Sequence, residues 1–125
     1  MKSLSFEDLE VWKKACRLSV DIYKALVSTK EYGLKDQMCR SSVSVASNIA
    51  EGSERHSHLD FIRFLRIAMG SAAELRTQIY IASEIELIPQ EVSKEFILRS
   101  KSISQMLQAL ISSLEKKRST GNGER

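Results

Sequence analysis

Within SSVSVASNIAEGSERHSHLD, residues 41–60, several side chains could do chemistry: Asn48, Glu51, Glu54, Arg55, His56, His58 and Asp60. Carboxylates and imidazoles are metal ligands and proton carriers, and arginine binds phosphate, so spacing has to decide between these uses. A di-metal site in a helical bundle needs Glu-x-x-His on two helices and a further Glu from each of the others. No Glu in this chain is followed by His at that distance. Both histidines cluster at one helix junction, which leaves a metal-dependent enzyme the least favoured reading. Serines are abundant, yet the chain has no G-x-S-x-G elbow, and one helix face cannot build an oxyanion hole. Gly33, Gly52 and Gly70 stand alone, so there is no phosphate-cradling loop. Gly52 reads as a helix-end residue, and Gly70, inside a helical run, as a point where another backbone comes close. The expectation is therefore no enzyme, no catalytic residue, no metal ligand and no cofactor.

Projected at the helical repeat, Arg40, Ser44, Ser47, Asn48, Glu51 and Arg55 form one polar stripe, while Val43, Ala46 and Ala50 form a lean packing face. Glu51 and Arg55 are four apart in the favourable acid-before-base order. The plain reading is a helix whose Asn48, Glu51 and Arg55 fix the junction with the next helix or a subunit contact. Ligand recognition is secondary, and for His56 and His58 an exposed cap region is favoured over a ligand contact.

Four helical runs must position this stretch. Leu9, Trp12, Cys16, Tyr23 and Leu26 recur at helical spacing and are expected to form the first core stripe. Ser5 and Asp8 supply a capping-box-like start. Leu34, Met38, Val45 and Ile49 mark the second helix, widened by Cys39, Val43, Ala46 and Ala50. Ser57 is a candidate N-cap for the third, with Asp60 three residues on. There Phe61, Leu65, Ala68, Ala72, Leu75, Ile79 and Ala82 form one stripe, and Ile62, Met69, Ala73 and Tyr80 a second, implying burial from two directions. Pro89 suits the first turn of the fourth helix, whose stripe is Val92, Phe96, Ile103, Leu107, Leu110 and Leu114. The fold expected is an all-α, antiparallel up-down-up-down four-helix bundle. Residues 1–118 form it, with helices at about 6–28, 34–54, 58–86 and 89–118, and residues 119–125 are a flexible tail.

With 125 residues, 42% hydrophobic and 28% charged, the chain suits one folded domain. A net charge of +3 permits an anionic partner without establishing one. Between residues 34 and 80 the bases exceed the acids by one; at the C-terminus Lys116, Lys117, Arg118 and Arg125 face only Glu115 and Glu124. Cys16 and Cys39 are too few for a zinc framework and read as buried free thiols, which fits a reducing cytoplasm. The opening MKSLSFEDLEVW is acidic where a signal peptide would be basic, and no run is long enough to span a bilayer.

Ser44, Asn48-Ile49-Ala50-Glu51-Gly52 and Arg55, followed by Phe61, Phe64-Leu65, Ala68, Gly70-Ser71 and Glu74-Leu75, together resemble the bacterial 23S rRNA intervening-sequence proteins. Leu9, Trp12 and the Tyr32-Gly33-Leu34 turn are similar as well, so the resemblance covers the chain to about Leu114. It implies a ribosomal-protein-like four-helix bundle without known enzymatic activity, assembled as a ring-like homo-oligomer with a pentamer leading. More distantly the chain resembles the accessory variability determinant of diversity-generating retroelements, a pentameric basic barrel that partners nucleic acid. The resulting expectation is a non-enzymatic homo-oligomer that binds nucleic acid, structured RNA before DNA, or scaffolds a ribonucleoprotein. Arg55, Arg63 and Arg66 would contact phosphates, and Lys116, Lys117 and Arg118 would add a basic arm. Ser44, Asn48, Glu51, Gly52, Arg55, Gly70, Ser71 and Glu74 form its structural polar motif. The alternative is a protein-interaction scaffold whose charges only solubilise the oligomer; neither reading includes a membrane or a small-molecule substrate.

Overall fold

A computed structural model of the chain describes residues 5–120. A single 3-10 turn, Phe6–Asp8, leads into four helices: α1 (Glu10–Ala25), α2 (Tyr32–Ser53), α3 (His58–Glu84) and α4 (Gln90–Ser119). No strand occurs among the described residues. Each helix packs on the next, and α1 returns to α4, where the packing is least close. Ser19 meets Ser42, Ser44 meets Ser71, and Arg66 and Arg76 meet Glu115 and Ser100. In the α3–α4 pair, later residues of one helix thus meet earlier residues of the other, which is antiparallel register.

The ends of the helices follow local chemistry. The Ser5 capping box is present, but it closes the 3-10 turn, and Leu9, with extended backbone, separates that turn from α1. The first helix is therefore shorter at both ends than its sequence pattern suggests. Ser57 caps α3 as expected, its Oγ accepting from Asp60 N at 3.1 Å. Pro89 is the N-cap of α4 rather than its first helical residue. Between α3 and α4, Glu86 takes the left-handed conformation (φ 60°), and Leu87 N donates back to Ala82 O at 2.8 Å, closing the helix end as a glycine normally would. Of the expected tail, Ser119 is the last residue of α4 and Thr120 its C-cap; residues 121–125 lie outside the described part.

One core runs through the bundle, and on α1 it differs from the expected stripe. Val11, Ala15, Leu18, Ile22 and Leu26 are buried, whereas Leu9, Trp12 and Cys16 are half-buried and Tyr23 is exposed. The aromatic positions thus flank the core instead of filling it. On α3 the first stripe is buried except for half-buried Phe61, but the second divides: Ile62 is buried, Met69 half-buried, and Ala73 and Tyr80 face outward. Serines complete the apolar faces. Ser42, Ser93 and Ser100 are almost fully buried, each donating to a carbonyl: Cys39 O, Pro89 O and Ala72 O respectively. A buried hydroxyl with a partner avoids the cost of lost hydration.

Gly52 lies in the last turn of α2, as expected of a helix-end residue, but the close approach expected at Gly70 occurs at Gly52 instead. A Cβ on Gly70 would meet nothing within 4 Å, so no backbone approaches it within this chain. A Cβ on Gly52 would lie 2.6 Å from Cβ of Phe64 and 3.0 Å from the Phe61 ring. Gly52 is what lets α2 and α3 close together at their junction.

Candidate nucleic-acid interface

The polar stripe of α2 divides into an inner and an outer part. Asn48 Nδ2 donates to Ser44 O at 2.8 Å and to Ser44 Oγ at 3.0 Å, and Ser44 Oγ lies 2.8 Å from Ser71 Oγ on α3. Ser71 is buried, and Ser44 and Asn48 are half-buried, so these three side chains form an interhelical link. Arg40, Ser47, Glu51 and Arg55 form the exposed outer part. Arg55 pairs with Glu51 at 3.1 Å and holds its guanidinium 4.7 Å from the Phe64 ring centroid, a cation–π arrangement.

At this end of the bundle a cavity of about 280 Å³ is lined by Ser53, Arg55, His56, Ser57 and His58 from the α2–α3 junction and by Leu110, Leu114 and Lys117 from α4, with Ser5, Leu9 and Phe61 completing it. Arg55 and Lys117, far apart in sequence, are thereby brought together. His58 Nδ1 is buried without a hydrogen-bond partner. His58 is half-buried, so the exposed cap environment expected for both histidines holds for His56 alone.

Arg63 and Arg66 are exposed on the outer face of α3, with Gly70, Glu74 and Thr77. Arg63 pairs with Asp60 at 3.0 Å, one turn earlier. Arg66 reaches across to Glu115 of α4 at 2.7 Å. That bridge sets the α3 arginines beside Lys116, Lys117 and Arg118 in the exposed last turn of α4. Glu74 and Gly70 lie outside the Ser44–Asn48–Ser71 link and take no part in it. The expected cations therefore share one end of the molecule, but Arg55, Arg63 and Arg66 each already carry a carboxylate partner.

Sequence spacing did not reveal two features. Arg99 of α4 pairs with Asp21 of α1 at 2.9 Å and with Glu95 at 3.4 Å, clasping the loosest seam. Beside it, Lys13, Lys14 and Arg17 line a cleft between α1 and α4. Their three- and four-residue spacing was the available signal, but on a helix with acids first and bases later it reads simply as macrodipole matching.

Burial pushes the Cys16 thiol up from its ordinary pKa. For Cys39 burial again raises the pKa, against the lowering effects of the Lys35 charge and a hydrogen bond with Tyr23. Both cysteines are free. Among the described residues there is no cluster of His, Cys, Asp and Glu able to hold a metal ion, and no helix is long and apolar enough to cross a membrane.

Comparison with known proteins agrees with this architecture. A family model described as 23S rRNA-intervening sequence protein matches residues 7–109. Among solved structures, a protein of unknown function from Bacteroides thetaiotaomicron, described as of the S23 ribosomal protein family, is 31% identical. Its TM-score is 0.76, and the match covers 81% of this chain and 97% of that one. No curated protein matches.

Proposed function

The chain belongs to the 23S rRNA-intervening sequence protein family, and from that premise we propose that it is a non-enzymatic, homo-oligomeric up-down-up-down bundle of the cytoplasm that binds structured RNA. The observation that carries the reading is the Arg66–Glu115 bridge, which joins the exposed arginines of α3 to the basic last turn of α4. Together with Arg55 and Lys117 on one cavity, it gives a cationic end suited to phosphates in two directions. A surface whose cations are long, exposed arginines and lysines suits recognition of RNA by shape and backbone.

Self-association, with a pentamer as the favoured state, is supported by apolar surface the chain does not cover itself. Phe6, Trp12, Cys16, Val20, Val43, Ala46 and Ala50 line an open groove between α1 and α2, and Val20 and Val43 are more than 40% exposed, at 42% and 43%. Repetition around a ring would multiply a modest basic patch into a continuous one. A second reading, a protein-interaction scaffold without nucleic acid, is favoured by one fact: Arg55, Arg63 and Arg66 are already paired. Crosslinking in cells, followed by sequencing of the recovered nucleic acid, decides between them. The RNA reading expects specific structured RNA that an Arg63→Ala/Arg66→Ala double variant fails to recover; recovery of protein partners alone favours the scaffold.

A further inference from the structure

We propose that the cleft between α1 and α4 is a binding site for a small oligophosphate, separate from the RNA surface. The cleft has a volume of about 400 Å³ and is lined by Lys13, Lys14, Arg17, Arg99, Ser102 and Ile103. Its size is that of a compact small-molecule site. Cations approach from both walls: three from α1 and Arg99 from α4. Ser102 adds a hydroxyl, and Ile103, which is buried, is its apolar floor.

The charges are arranged for a compact anion. Arg99, whose side chain is 26% exposed, is held in place by Asp21 and Glu95 through the same Nη1 atom, so it is the fixed cation of the four. Lys13 pairs loosely with Glu10 at 3.6 Å. Lys14 and Arg17 have no carboxylate partner among the described ion pairs, and both are exposed. Lys13 and Lys14 lie four and three residues before Arg17, so like charges stand together on one helix face, an arrangement that is unfavourable unless an anion joins them. A chain of two or three linked phosphates spans the two walls, neutralising Lys14 and Arg17 and taking hydrogen bonds from the remaining guanidinium N–H groups of Arg99.

The borders of the cleft argue against a passing nucleic-acid strand. Along α1 the cations are bracketed by Glu10 on one side and Asp21 on the other, and on α4 Glu95 precedes Arg99 by one turn. A strand continuing past the cleft would meet carboxylates in either direction, whereas a short oligophosphate ends before them. The site shares no residue with the Arg55, Arg63 and Arg66 surface, so it stands or falls independently of the RNA reading.

Calorimetric titration of the full chain with inorganic tripolyphosphate at low salt, with amide shifts followed in parallel, tests the assignment. One saturable site per chain is expected, with shifts at Lys14, Arg17 and Ser102. A Lys14→Ala/Arg17→Ala variant and a Ser102→Glu variant should each weaken binding at least tenfold while melting as the parent does, because all three positions are exposed. The Arg63→Ala/Arg66→Ala variant should bind as the parent. No saturable binding, or binding that the two cleft variants leave intact, would overturn the proposal. So would displacement of tripolyphosphate by a single-stranded oligonucleotide whose shifts continue past Glu10 and Glu95, since the cleft would then be part of a nucleic-acid track.

Discussion

Gly52 and Phe64 are packed so closely that a methyl group on the glycine would lie 2.6 Å from Cβ of Phe64. Neither atom is at the end of a flexible side chain, so relief requires α2 and α3 to separate. Gly52→Ala should therefore destabilise the protein by about 1–3 kcal/mol, the usual cost of overpacking, despite alanine's better helix propensity. Gly70→Ala is the matching control: its Cβ would enter open space, and the substitution should stabilise the isolated chain by about 0.5–1 kcal/mol. Thermal or denaturant unfolding of the two variants reads opposite signs.

Ser44, Asn48 and Ser71 act as a unit between α2 and α3. Asn48→Ala removes two donated bonds from a half-buried position and should cost about 1–2 kcal/mol. A double-mutant cycle of Ser44→Ala and Ser71→Ala should give a coupling of at least about 0.5 kcal/mol, because the hydroxyls bond directly. Additive losses would mean that the serines act only through packing.

Glu86 occupies a left-handed backbone position at the α3–α4 connection. Glu86→Gly should raise stability by about 1 kcal/mol, since glycine adopts that conformation without steric cost. Equilibrium unfolding in urea checks it, with an unchanged slope and a higher midpoint as the expected result.

The thiols set an alkaline limit. Burial raises the pKa values of Cys16 and Cys39 in the folded state, so folding favours their protonated forms. That contribution is complete below the unfolded thiol pKa of about 8.5 and is lost as pH rises through the higher folded values. Unfolding free energy should fall on the alkaline side, and Cys39→Ala/Cys16→Ala should flatten the dependence there.

Periodicity made the helix number and the central stripes of α2 and α4 legible, because Met38, Val45, Ile49, Phe96, Ile103 and Leu107 are both strongly apolar and buried, but it also put Val43 on the packing face of α2, where it is 43% exposed. It misjudged α1, where the large side chains of Trp12 and Tyr23 outweigh Ala15 in a projection, although Ala15 is buried and Tyr23 is exposed. Buried Ser42, Ser93 and Ser100 were invisible for a related reason: hydropathy registers the hydroxyl but not the carbonyl that satisfies it. The glycine pattern assigned the close approach to Gly70, whereas Gly52 makes it, because which glycine is approached depends on which face meets α3's aromatic residues. Arg63 and Arg66 were identifiable as outward-facing, whereas their carboxylate partners, especially Glu115 on another helix, depended on helix register.

The central claim, that the joined basic surface of α3 and α4 binds structured RNA through its phosphates, is tested most directly by anisotropy of a labelled RNA hairpin over a salt series. Affinity should fall steeply with salt, and Arg63→Ala and Arg66→Ala should each lower the log–log slope by about one. Glu115→Gln, which releases Arg66, should tighten binding while changing stability by less than about 1 kcal/mol, as expected for a half-exposed ion pair. Absence of binding at low salt, or a slope that the two arginine substitutions leave unchanged, would contradict it.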